Sequence, residues 1–248
     1  MKVLGIICGF VAVAGCQVHG QRPSLQHQVR GNGETGFDAQ AEMKTATRQV
    51  GKYFGGEFDQ PFQATLANSR SEFDAAIPAA WGLAPTQCWM VATGVADRLV
   101  MLLPSAWATD ACDHRAGDVE EARAILRHEL THVFHGQNNV TRDFTGMDDA
   151  AWFIEGLAVV VSGQLTKERL FQAREAAAGG QAPKSLATMW SGKHKYGFAG
   201  SMVQFIENKY GRDTLKSLLP LTSNDDILAK LEISESELLH DWETWLAR

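Results

Sequence analysis

The hydrophobic and polar positions change their period about halfway along the chain. In residues 39–54, Met43, Thr47, Val50 and Phe54 recur at three- and four-residue intervals, which predicts an amphipathic helix. Pro61 then opens a run at residues 62–67 whose apolar side chains alternate as in a half-buried strand. Residues 71–80 predict a short helix. Two β-rich pieces follow, residues 88–92 and 98–103, with Gly94 between them as a hairpin element. Beyond Gly117 the spacing is helical for most of the remaining chain, punctuated at Gly136, Gly163, Gly179, Gly180, Gly197 and Gly211. Near the end, Trp242, Trp245 and Leu246 have the spacing of an amphipathic helix packed on the core. A small sheet in the first half with helices in the second predicts an α+β fold, not a doubly wound α/β sheet.

Composition narrows the classes. The chain has 248 residues, 23 Lys+Arg against 29 Asp+Glu, and a formal charge of −6. A hydrophobic content of 45% is enough for one sizeable core. The acidic balance leaves no basic footprint for nucleic acid. Residues 3–14 carry no charge, too short a run to span a bilayer but right for the apolar region of a secretory signal. The sequence Val13-Ala14-Gly15-Cys16 that follows resembles a bacterial lipobox. That resemblance implies a signal peptide over residues 1–15, cleavage before Cys16, lipidation of Cys16 and attachment to a membrane of the bacterial cell envelope. The alternative is an ordinary signal cut after Ala14 and a secreted, soluble protein. Residues 16–36 are poor in large apolar side chains and read as a flexible tether, leaving residues 37–248 as one domain. Of the four cysteines, Cys88 and Cys112 then remain, and export predicts that they pair as a disulfide. Two buried free thiols are the alternative.

Candidate chemistry lies in the helical half. Asp118 with Glu121 has the form of a capping box, and Gly136 stands where a C-cap glycine belongs. Between them runs Arg127-His128-Glu129-Leu130-Thr131-His132. His128 and His132 project within about 40° of each other on a helix, with Glu129 flanking them. Two imidazoles one turn apart can hold a zinc ion, and the adjacent glutamate can reach water on the metal. A second helix, residues 150–161 with Asp148 or Asp149 as its cap, carries Glu155 as its only charge. A lone carboxylate in such surroundings requires a cationic partner, and a zinc ion still short of a third protein ligand supplies one. A buried Arg or Lys is the alternative partner. Gly156 would let another backbone come close.

His128-Glu129-Leu130-Thr131-His132 followed by Trp152-Phe153-Ile154-Glu155-Gly156-Leu157-Ala158 resembles the gluzincin arrangement, most closely that of the bacterial peptidase MA-like zincins. The resemblance covers residues 62–163 and extends more weakly to the C-terminus. It implies a zincin-like fold with a small mixed sheet and an active-site helix, one Zn2+ bound by His128, His132 and Glu155, and Glu129 as general base. A peptide or protein is the implied substrate. Family members often place a downstream Tyr or His at the oxyanion, and Tyr196 and His194 are the candidates here; a solvent-facing basic loop is the alternative. The chain departs from the pattern in two places. Asn138 stands where metzincins carry a third histidine, and Val159 where thermolysin-like enzymes carry an orienting Asp. Asp148 or Asp149 is the substitute orienter. His135 lies about 10 Å along the axis from His128, too far to share its metal easily, and reads as an outer or surface histidine. The strand at residues 98–103 is the expected docking edge for substrate main chain. The leading expectation is a zinc metallopeptidase of the envelope, and the alternative an inactive zincin-fold lipoprotein that binds or assembles.

Overall fold

The computed structural model describes residues 27–31, 34 and 36–248. The expected signal peptide, Cys16 and most of the expected tether lie outside the described residues. The strands are β1 (Gln28–Arg30), β2 (Gln63–Ala67), β3 (Ala92–Val95) and β4 (Arg98–Leu102). The first helices are α1 (Ala39–Phe54), α2 (Arg70–Ala76), α3 (Trp107–Asp110), α4 (Val119–Gln137) and α5 (Ala151–Ser162). Then come α6 (Lys167–Ala176), α7 (Leu186–Met189), α8 (Lys195–Tyr210), α9 (Arg212–Ser217), α10 (Asn224–Leu231) and α11 (Glu235–Leu246). The fold is α+β, as the pattern predicts, and its small sheet is mixed. No helix among the described residues is long and apolar enough to cross a membrane.

The sheet order is β1-β2-β4-β3, with β1, β2 and β4 parallel and β3 antiparallel on the edge. Two sequence expectations change here. Residues 28–30, assigned to the tether, form β1, with Val29 opposite Ala64 of β2. The expected tether therefore ends before Gln28, because main-chain pairing with β2 holds a segment too polar to bury a core of its own. The second change concerns the hairpin. Residues 88–91 are not a strand, because Arg70 takes the carbonyls of Cys88 and Met90. The strand begins at Ala92, and Gly94 lies inside it opposite Leu99. A Cβ on Gly94 would stand 2.8 Å from the Glu129 carbonyl, so glycine lets β3 lie directly on α4. Cys88 and Cys112 form a disulfide with Cα atoms 5.2 Å apart, joining the segment before β3 to the one after α3.

α4 packs on α1, α5, β3 and β4, so it runs through the middle of the molecule. Asp118 caps it by accepting from the Glu121 amide at 3.0 Å. The reciprocal half of the expected capping box is missing, because the Glu121 carboxylate pairs with His114 at 2.9 Å. Gly136 is not a C-cap either. The helix continues to Gln137, and a Cβ at Gly136 would meet the Arg142 carbonyl and stand 2.9 Å from the Ala96 amide nitrogen. Gly156 does admit a second backbone: a Cβ there would collide with the Ala199 carbonyl of α8. The terminal helix buries Trp242 and Leu246 completely or nearly so, as its spacing predicts.

Candidate metal centre

Two helices bring the predicted ligands together. α4 presents His128 and His132 one turn apart, their rings 4.7 Å apart edge to face. α5 crosses α4 and places the Glu155 carboxylate against both, Oε2 lying 3.3 Å from Nε2 of His128 and 3.8 Å from Nε2 of His132. One ligand atom from each residue falls within 4.8 Å of the others, so the three could hold a metal ion. A tetrahedral site with bonds of about 2.0–2.1 Å needs ligand atoms about 3.4 Å apart. The His–Glu spacings are close to that. Among the described residues no Arg or Lys pairs with Glu155; it hydrogen-bonds His128 and lies 3.8 Å from His132.

The orientation of His128 follows from its other nitrogen. Nδ1–H donates to the Gln164 side-chain oxygen at 2.8 Å, which fixes the ring so that Nε2 faces Glu155. Gln164 follows directly on the glycine that ends α5, and its own carbonyl accepts from Arg169 at 2.7 Å. The expected orienters Asp148 and Asp149 are elsewhere: both are exposed, in a 3-10 turn before α5, and neither side chain caps that helix. Gln164 carried no motif signal beyond being a polar residue just past an apolar helix. Nδ1 of His132 is buried without a hydrogen-bond partner.

Electrostatics separate the two carboxylates. Burial pushes Glu129 up to about 7, opposed by His128 and reinforced by the charge of Glu155. Burial also acts on Glu155, but His132 and His128 outweigh it and hold that carboxyl down at about 2. Burial depresses His132 to about 4. For His128 the hydrogen bond and charge of Glu155 and the charge of Glu129 exceed the cost of burial, so its pKa is raised. One carboxylate thus stays charged among imidazoles while the other is poised near neutrality.

The remaining candidates divide. Tyr196, in the first turn of α8, is 36% exposed and stacks edge-on against Trp190 at 4.7 Å, with the Arg169 guanidinium 5.1 Å over its ring. Its pKa is raised by burial and then by the charge of Glu155. His194 precedes α8, and its ring contact is with Phe198 at 6.0 Å. His135 is neither ligand nor surface residue. It is fully buried, and its Nε2–H donates to the Leu219 carbonyl at 3.2 Å. Asn139, part of an N-x-T sequence, is buried with its amide on the carbonyls of Leu219 and Leu221. β4 lies between β2 and β3, so it offers no free edge; the edge beside α4 belongs to β3.

Comparison with protein-family models, with curated proteins and with solved structures finds no match for this chain.

Proposed function

We propose that the protein is a zinc-dependent metallopeptidase of the gluzincin type. The observation that carries this reading is the convergence of His128, His132 and Glu155, with Glu129 one residue from a ligand on the same helix. Two imidazoles and one carboxylate are a fitting donor set for zinc and leave one coordination position for water. A zinc ion held there would supply Lewis acidity toward water and a substrate carbonyl. Glu129, poised near neutrality, accepts the proton from water and returns it to the leaving amine. The outer edge of β3 receives an extended substrate main chain beside α4 by strand addition. Tyr196 stands at the rim as a hydroxyl donor for the developing oxyanion.

The site of action we propose is the bacterial cell envelope, with the chain anchored through a lipid on Cys16. The Cys88–Cys112 disulfide supports an exported protein. Mass spectrometry of the mature N-terminus should find an acylated Cys16; an unmodified terminus at Gly15 would reject the anchor. For the activity, the purified chain is incubated with a peptide library and the products read by mass spectrometry. Cleavage should occur, stop with a chelator and return with zinc. An intact library in the presence of zinc would refute the peptidase reading.

A further inference from the structure

Between α1 and β1 lies a cavity of about 930 Å3. That is within the roughly 300–1,000 Å3 of small-molecule sites. None of its lining residues belongs to α4, α5 or α8, so it is separate from the metal centre. Met43 and Phe58 form an apolar floor, and both are buried. Lys44, Arg48 and Lys52 are exposed on the rim. They recur at every fourth position of α1 and so share one face, an arrangement that disfavours the helix through like-charge repulsion. Among the described residues none of the three forms an ion pair, and Glu57 is the one carboxylate lining the cavity. Residues 1–33 of the sequence contain no Asp or Glu.

Two buried polar atoms in the same lining have no hydrogen-bond partner, Oγ1 of Thr47 and Nδ1 of His27. Such atoms are costly unless something satisfies them. The His27 ring is stacked on Phe62 at 4.0 Å, which fixes its direction. An apolar floor beneath a cationic rim describes an amphiphile. A purely apolar ligand would leave the cations unused. A small anion would leave the floor empty.

We propose that this groove binds a single-chain anionic amphiphile, an alkyl chain ending in a carboxylate or phosphate, taken up as a monomer. The alkyl chain lies on Met43 and Phe58. The head group engages Lys44, Arg48 and Lys52. The inference is independent of the metallopeptidase reading.

The test uses the full chain carrying Cys16→Ser, so that no lipid on that cysteine contributes. Dodecyl phosphate below its micellar threshold is titrated calorimetrically, with dodecyltrimethylammonium as the cationic counterpart. The phosphate should bind once per chain and the cation about tenfold more weakly or worse. The triple variant Lys44→Gln, Arg48→Gln, Lys52→Gln should weaken phosphate binding about tenfold or more, with its melting transition no lower than that of the parent chain. Thr47→Trp, which fills the groove, should abolish it. Equal binding of the two amphiphiles, or undiminished binding by the triple variant, would overturn the proposal. So would binding to vesicles of anionic phospholipid but not to the monomer. Binding that appears only after deletion of residues 17–26 would show that this segment, not a lipid, owns the groove, and would overturn it equally.

Discussion

His128 and His132 turn their Nε2 atoms toward Glu155, while His135, one turn further along the same helix, turns its Nε2 to the Leu219 carbonyl. The first pair keeps 8% and 7% of its surface exposed; His135 keeps none. Burial lowers His132 to about 4 and His135 to about 3, so protonation state alone does not distinguish the two ends of α4. What distinguishes them is where the acceptors are. Around His135 the carbonyl of Leu219 and the rings of Phe144 and Phe153 enclose the imidazole, and the histidine serves the fold. Around His128 and His132 a single carboxylate converges on both Nε2 atoms. A cluster of that kind, costly to bury and aimed at one point, is what a metal site looks like before any metal is considered.

The contrast can be broken experimentally, beginning with the largest effect. Glu129→Gln should lower peptide cleavage by about 10²–10⁴-fold while metal content, read by mass spectrometry with an inductively coupled plasma, stays at the wild-type value. Loss of metal in that variant would mean Glu129 shapes the site and does not serve as the base. At the other end of the helix, His135→Ala should cost about 1–3 kcal/mol in chemical denaturation, through the cavity left in the core, with metal content unaltered. The Leu219 carbonyl keeps its bond from Asn139 at 2.7 Å, so no acceptor is orphaned. A His135→Ala variant that folds normally but loses its metal would move His135 into the site. Gln164→Ala should weaken metal affinity about 10–100-fold in competition with a chelator, by freeing the His128 ring.

The last contrast is in acid stability. The folded His135 titrates at about 3, and in the unfolded chain a histidine titrates near 6.5. Between those values the unfolded chain holds the proton and the folded one does not. Stability is therefore full above about pH 6.5 and is lost as pH falls toward 3, at up to about 1.4 kcal/mol per pH unit. His135→Gln should flatten this acid limb in denaturant melts, leaving the share of His132. An equally steep limb in the variant would remove His135 from the account.

The triad was legible in the sequence because its signal is local. His128, Glu129 and His132 lie within one and a half turns of one helix, and Glu155 is the single charge in an apolar run, so neither inference needs knowledge of the neighbours. The boundaries of α1 were readable for the same reason, from Met43, Val50 and Phe54 on one face. What escaped depends on partners distant in sequence. His135 is a core residue only because the turn at Leu219 meets α4, 84 positions away. Gly94 and Gly136 look like turn punctuation along the chain, yet both are contact points where another backbone touches α4. Gln164 becomes an orienter only when α5 lies across α4. Residues 28–30 are polar enough to read as tether, and they become a strand because β2 offers them an edge.

One measurement bears most directly on the claim that α4 and α5 build a metal centre. The purified chain is loaded with zinc, desalted and analysed for metal beside His132→Ala, with circular dichroism confirming that both are folded. One zinc ion per wild-type chain and none in the variant is the result expected. A folded wild-type chain that retains no metal, or a His132→Ala chain that retains as much as wild type, would contradict it.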